Sequence, residues 1–380
     1  MKLIHLSDLH LGKRVNEFSM LEDQKYILRA ILGIVEAEKP DGVIIAGDVY
    51  DKSVPPAEAV TLLDDFLTRL AGMGQQVYMI AGNHDSAERI GFGSRLFERS
   101  GIHLSPVFTG KITPCVPEDG EGEVRIWLLP FIKPADVRRA FPEEEKEITD
   151  YTAALRCVIR HMDIDPAGRN VLVAHQFVTG AARSESEDVS VGGMDNVDAS
   201  VFEGFDYTAL GHIHGPQHIG KETVRYCGTP LKYSFSEIGH RKSVTVVTLG
   251  KKGDTQVRTV PLVPRHEMRE IRGKYHDLMQ KTYYEGTATD DYLHVVLEDE
   301  EFEPDALAKM RTVYPNIMKL EYDNRRTRAA GDVAALEETE QRSGIELFDE
   351  FYTRQNGQPM GGEQRGFAAE LLESLEEENA

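Results

Sequence analysis

Cysteine is scarce in this chain. Cys115, Cys157 and Cys227 stand far apart, are odd in number and form no Cys-x-x-Cys pair. That excludes a disulfide framework and a thiolate metal site, and fits a reducing compartment. Long apolar runs are missing as well, so no transmembrane helix is expected. The first stretch of apolar residues is interrupted by His5, Asp8 and His10, which a secretory signal does not tolerate. No signal peptide is expected, and the cytoplasm is the expected location. Basic residues are in deficit: 43 Lys and Arg face 64 Asp and Glu, for a net charge of −21. Taken alone, that argues against a nucleic-acid binder, whose footprint is usually basic. The imbalance is uneven, because residues 331–380 hold 13 acidic and 3 basic residues. A cluster of acidic groups holding divalent cations is also partly neutralised in its working state.

What is present suits a packed globular protein. Hydrophobic residues make up 41% and charged residues 28% of 380, enough for one large domain and one or two smaller ones. Apolar, β-rich runs at residues 2–7, 42–46, 76–81, 124–130, 170–174 and 206–210 read as strands. Residues 223–227 and 242–249 read as an antiparallel pair. Residues 19–37 and 57–71 carry apolar residues at helical spacing. The alternation predicts a layered α/β or αββα domain over residues 1–262. Prolines near residues 260–264 mark a boundary. Beyond it, strands at 268–272, 292–297 and 318–322, with helices at 274–284 and 304–314, predict a small α+β domain over residues 263–324. Residues 325–380 read as a basic linker followed by an acidic helical tail. That tail has two amphipathic patches, one with Ile345, Phe348, Phe351 and Tyr352, the other with Phe367, Leu371 and Leu375.

Five short segments carry the chemistry, and each follows an apolar strand. They are Asp8-Leu9-His10, Gly47-Asp48-Val49-Tyr50-Asp51, Gly82-Asn83-His84-Asp85, His175, and Gly211-His212-Ile213-His214. Ligands of open α/β sheets bind beyond the carboxyl ends of the strands, so these segments are expected to meet at one sheet edge. Imidazole, carboxylate and amide oxygen suit manganese, iron or zinc in a water-accessible site. Asp8, His10, Asp48, Asn83, His175, His212 and His214 are too many ligands for one ion. They suit two ions with Asp48 between them, the arrangement that clamps attacking and leaving oxygens in displacement at phosphorus. His84, beside Asn83, is placed to contact phosphate oxygens or protonate the leaving group, with Asp51 or Asp85 orienting its ring. Singly, each segment is also read as a turn or a satisfied core histidine; together and in order they are read as one site.

In this order the motifs resemble the calcineurin-like metallophosphoesterase superfamily. A narrower resemblance, to the SbcD family of nuclease subunits, rests on four stretches and part of the tail. The stretches are His5 to Gly12, Ala46 to Asp51, Ala81 to Ser86 and Tyr226 to Glu237; the tail portion is Gly344 to Tyr352. The resemblance implies a two-sheet αββα sandwich with a small cap. It implies one ion on Asp8, His10, Asp48 and His214, and a second on Asp48, Asn83, His175 and His212. His84 is the implied catalytic histidine and Mn2+ the implied ion. Archaeal and eukaryotic relatives carry a second histidine where Asp51 stands, so help to His84 at that position falls to a carboxylate. Further implications are a homodimer and a C-terminal segment docked on the ATPase subunit SbcC. The implied activity is 3'-5' exonuclease and endonuclease action on DNA ends, hairpins and single strands in repair, recombination or replication, near the nucleoid. Lys13, Arg14, Lys52, Arg89 and Arg95 follow the metal motifs and are the candidate DNA contacts. The alternative is a phosphodiesterase or phosphatase for small nucleotides or phosphoproteins, which would use the same site chemistry.

Overall fold

The computed structural model describes residues 1–105, 107–187, 195–325 and 327–328, together with residues 352, 360–361, 364–366 and 368. By packing, the chain divides into two units. One holds residues 1–271, 279–295 and 307–320; the other holds 272–278, 296–306 and the described part of 321–380.

Two six-stranded sheets form the larger unit. The first runs in the order Thr255–Pro261, Ser243–Leu249, Lys2–Leu6, Gly42–Ala46, Gln76–Ile80, Ile102–Ser105. The second runs Gln217–Ile219, Lys221–Tyr226, Tyr207–Gly211, Arg169–His175, Gly122–Leu129, Glu118–Asp119. Central strands are parallel and read as continuous apolar runs because both faces are covered.

Three apolar layers define the sandwich. Leu3, Ile44, Ile80, Ile126, Val171, Val173 and Ala209 come from both sheets and pack together between them. Alternate residues of the first sheet, including Ile4, Val43 and Ile45, pack instead with Ile27, Ile31 and Phe66 of the helices Leu21–Glu38 and Ala57–Gly72. On the far side, Trp127, Leu172 and Leu210 pack with Leu155 and Val158 of Tyr151–Arg160 and Val137 of Pro134–Ala140. The period-2 alternation of each strand therefore sends one residue set to the inter-sheet layer and the other to a helix layer. This is the αββα sandwich expected from the sequence.

A third sheet has the order Met268–Gly273, Tyr292–Leu297, Ile317–Tyr322, the strands expected of the small α+β region. Within the smaller unit, Asp299 accepts from Tyr275 N at 2.7 Å, and Asn324 Nδ2 donates to Asp299 O at 2.9 Å.

Some expectations need correcting. Residues 223–227 and 242–249 do not pair. Lys221–Tyr226 lies in the second sheet, between Gln217–Ile219 and Tyr207–Gly211. Ser243–Leu249 lies in the first, between Lys2–Leu6 and Thr255–Pro261. Gly228, at φ 75°, turns the chain immediately after the former strand. The helix expected at 274–284 is two short turns, Tyr275–Leu278 and Lys281–Tyr284, because Gln280 adopts an extended conformation at ψ 134°. That expected at 304–314 shortens to Ala306–Met310. Of the tail's apolar residues, Tyr352 is described, while Ile345, Phe348, Phe351, Phe367, Leu371 and Leu375 lie outside the described residues. Among the described residues, no helix is long and apolar enough to cross a membrane.

Trp127, the single tryptophan, is 1% exposed. Its indole N–H donates to Asn170 Oδ1 at 3.1 Å, and Asn170 Nδ2 reaches the carbonyls of Asp165 and Gly168. Asn170→Ala leaves that indole buried without a partner, so unfolding free energy should fall by about 1–3 kcal/mol. Denaturant titration followed by tryptophan fluorescence checks this.

Candidate metal centre

The parallel strands of both sheets deliver their carboxyl ends to one rim. Asp8 and His10 follow Lys2–Leu6, Asp48 follows Gly42–Ala46, and Asn83 and His84 follow Gln76–Ile80. From the other sheet, His175 closes its strand, and His212 and His214 follow Tyr207–Gly211, with His175 in register with Gly211.

Holding these side chains together strains the backbone. Asp8, His10, Asp48 and His212 adopt positive φ of 52°, 44°, 48° and 101°, which costs a residue bearing a Cβ. The strain is countered by bonds between the turns. Asp8 N donates to Gly47 O and His10 N to Asp48 O, each at 3.0 Å. Gln24 Nε2 donates to His10 O at 2.7 Å, and Tyr233 OH to Leu9 O at 2.7 Å. Two glycines permit the approach: a Cβ on Gly82 would lie 2.1 Å from Asp48 Oδ1, and one on Gly211 would lie 1.9 Å from Ala46 O.

The side chains converge. His10 Nε2 is 3.1 Å from His214 Nε2 and 3.7 Å from Asp48 Oδ2. His175 Nε2 is 3.3 Å from Asp48 Oδ2 and 2.9 Å from Asn83 Oδ1. That same oxygen lies 2.9 Å from His212 Nδ1. His212 N donates to the Asp8 carboxylate at 3.0 Å. Asp8, His10 and His214 offer donor atoms mutually close enough for one ion, as do Asp8, Asp48 and His175, and His10, Asp48 and His84.

Burial makes this cluster ask for positive charge. Asp8, His10 and His175 are fully buried, and Asp48 and His214 are 2% exposed. Desolvation lifts Asp8 to about 6. Desolvation would also lift Asp48, but His175, His10 and His84 together outweigh it and hold the carboxyl well below its usual range. His175 is pushed up to about 9: burial opposes its charge, while Asp48 and Asp8 favour it more strongly. Burial holds His10 well below, and His212 at about 3, so both rings are neutral at pH 7. His175 Nδ1 faces the carbonyl of Ala46 at 2.8 Å, and a carbonyl only accepts. Nδ1 therefore carries a proton, and the neutral ring offers its Nε2 lone pair to the same space as Asn83 Oδ1 and Asp48. Lone pairs and carboxylates converging in a dry pocket fit divalent cations.

The expected partners of His84 are placed differently. Its Nδ1 lies 3.1 Å from the backbone carbonyl of Asp51, and its N donates to Asp48 Oδ1 at 2.9 Å. The Asp51 carboxylate accepts from Lys13 Nζ at 2.7 Å and stands 3.6 Å from His10 Nδ1. The Asp85 carboxylate accepts from the backbone N–H groups of Gly82, Val49 and Tyr50, tying two metal loops together. His84 is 18% exposed and so reaches solvent, while Nε2 stays 3.9 Å from Asp48 Oδ2.

Of the candidate DNA contacts, Lys13 is held by Asp51 and Arg14 bonds Glu17 O. Lys52, Arg89 and Arg95 are exposed, and Arg95 lines a separate cavity with Gln76, His103 and Lys111. Several supporting residues escaped sequence reasoning: Gln24, Ser186, Glu187 and Lys242. No local motif marks them, because each acts on a segment far away in the chain. Glu237 ends one of the stretches that carry the resemblance, but its role was not legible there.

Residues 1–216 match the calcineurin-like phosphoesterase family. Residues 264–356 match the family described as type 5 capsule protein repressor C-terminal domain. The chain is similar to the SbcD subunit of nuclease SbcCD from Staphylococcus epidermidis, 35% identical over 324 residues that cover 84% of this chain and 85% of that protein. A solved dimetal phosphatase from Danio rerio aligns with a TM-score of 0.43 and 12% identity over 69% of this chain and 96% of its own.

An ion that takes the Nε2 lone pair of His175 displaces a proton between about pH 6 and 9, where the ion-free ring is charged. Affinity for a divalent cation should therefore rise with pH across that window, by about tenfold per unit for one proton released. Calorimetric titration in buffers of differing ionisation enthalpy checks it, and a pH-independent affinity would remove His175 from the ligand set.

Proposed function

The chain belongs to the calcineurin-like phosphoesterase family and, within it, to the relatives of the SbcD nuclease, and on that footing we propose that it is the metal-dependent nuclease subunit of an ATP-driven complex with SbcC. The observation that carries this reading is the convergence on Asp48 of ligands from both sheets, with His84 at the solvent side. Residues 1–262 are the hydrolytic domain and residues 263–324 the cap. Asp8, His10, Asp48 and His214 would hold one ion; Asp48, Asn83, His175 and His212 would hold the other. Oxygen and imidazole ligands without thiolate suit Mn2+. When bound, the ions polarise the phosphodiester and make water nucleophilic at neutral pH.

The protein's own contribution is positional. The strained turns keep the candidate ligands fixed before substrate arrives. His84, held through Nδ1 by the carbonyl of Asp51, turns Nε2 toward the cluster. From there it contacts a phosphate oxygen or passes a proton to the departing alkoxide. Asp51 acts on this ring through its main chain and on His10 and Lys13 through its side chain.

Partners follow the same reading. DNA ends and hairpins are the substrates. Exposed Phe92 and Val60, at 82% and 45%, line one groove with Phe97, and Leu96, beside Phe97 in the chain, is 70% exposed; these apolar residues support a homodimer. The tail residues from Ile345 to Leu375 are the docking segment for SbcC.

Purified protein with Mn2+ should release nucleotides from double-stranded DNA, and Asp48→Ala should abolish this. His84→Gln should retain both ions yet cleave about 10²–10⁴-fold more slowly, the loss usual for a general acid. Undiminished cleavage by Asp48→Ala would sink the nuclease assignment. Light scattering should find wild type dimeric and Leu96→Asp monomeric. A chain ending at residue 341 should no longer co-elute with SbcC. A dimeric Leu96→Asp, or full retention of SbcC by the truncated chain, would refute the corresponding surface.

A further inference from the structure

His214 is gripped at every polar atom except one. Its N donates to Glu187 Oε1 at 2.7 Å. Its carbonyl accepts from Lys242 Nζ at 2.8 Å and from Thr229 N at 3.1 Å. Its Nδ1 lies 2.5 Å from Ser186 Oγ, and Ser186 Oγ donates to Glu237 Oε1, also at 2.5 Å. The remaining atom, Nε2, lies 3.1 Å from His10 Nε2.

The direction of these bonds follows from counting protons. Lys242 has three N–H donors, and they go to Glu237 Oε2, Thr229 Oγ1 and His214 O. Glu237 is fully buried against that ammonium, so it is a carboxylate and only accepts. Ser186 has one hydroxyl proton and three neighbours, His214 Nδ1, Glu237 Oε1 and, at 2.9 Å, Ser184 Oγ, which brings a proton of its own. The buried carboxylate, the charged acceptor and nearer than Ser184, takes it. The serine oxygen then has lone pairs left for His214, so the bond at Nδ1 must be donated by the ring. His214 is thereby fixed with its proton on Nδ1 and its lone pair on Nε2, aimed at Asp8 and His10.

We propose that Ser186 and Glu237 are the positioning pair of the cluster formed by Asp8, His10 and His214. Together they select the His214 tautomer that offers Nε2 as a ligand. Lys242 anchors the pair and holds the backbone of the ring it orients. Neither residue touches the reacting atoms. This inference rests on the two-ion reading of the site, and it assigns the support to one of the two ion positions. His175, whose tautomer is fixed by a main-chain carbonyl, has no such dependence on side chains.

Ser186→Ala tests it while leaving the Glu237–Lys242 pair intact, so folding is not at issue; Glu237→Gln is the second variant. Metal-free full-length protein is titrated with Mn2+ by calorimetry and electron paramagnetic resonance, which resolve two binding steps in the wild type. In Ser186→Ala, one step should weaken by about 10–100-fold, the usual effect of losing a partner behind a metal-bound histidine. The other step should keep its wild-type affinity. Ser186→Thr, which restores the hydroxyl, should recover the lost step. Two wild-type steps in Ser186→Ala, or equal weakening of both, would overturn the positioning role and leave the nuclease reading standing. A wild type that binds no Mn2+ would overturn both.

Discussion

The structure turns on charge confined away from bulk solvent. Asp48 and Asp8 lie in a buried pocket, ringed by imidazoles whose ring nitrogens point inward. Leaving two carboxylates so close together and desolvated is costly unless positive charge joins them. In the ion-free protein, His175 answers by holding a proton far above its usual range. Divalent cations would answer the same demand better, because each would engage several of these donors at once. The turns at positive φ, the glycines without room for a side chain and the bonds between loops exist around that demand.

Much of this was legible in the linear sequence, for an identifiable reason. Strand-to-loop transitions are local, and so is the period of the strands. Asp8, His10, Asp48, Asn83, His84, His175, His212 and His214 each stand at or just beyond the end of an apolar run. In a parallel sheet, that position sends them to one rim. The helices Leu21–Glu38 and Ala57–Gly72 were legible through their apolar spacing.

What escaped depends on contacts between distant segments. Strand partners beyond residue 220 were not legible because Lys221–Tyr226 and Ser243–Leu249, though near in sequence, belong to opposite sheets. The spacing of Asp51 and His84 suggests a contact through the carboxylate, and the structure makes it through the carbonyl. Which of a residue's polar groups makes a contact is set by backbone direction, which composition does not encode. Ser186 and Lys242 carry no motif because their work is defined by His214, a residue they meet only after folding.

The ligands come from both sheets, with Asp48 and Asn83 on one and His175 and His212 on the other. Their separation is therefore governed by the side chains sandwiched between the sheets, among them Ile44, Ile80, Val173 and Ala209. Interiors this dense transmit small changes of volume rather than absorbing them. The sandwich acts as a caliper, and the thickness of its filling sets the gap between the two sets of candidate ligands. Residues that never approach the rim thus share in setting how far apart its donor atoms stand.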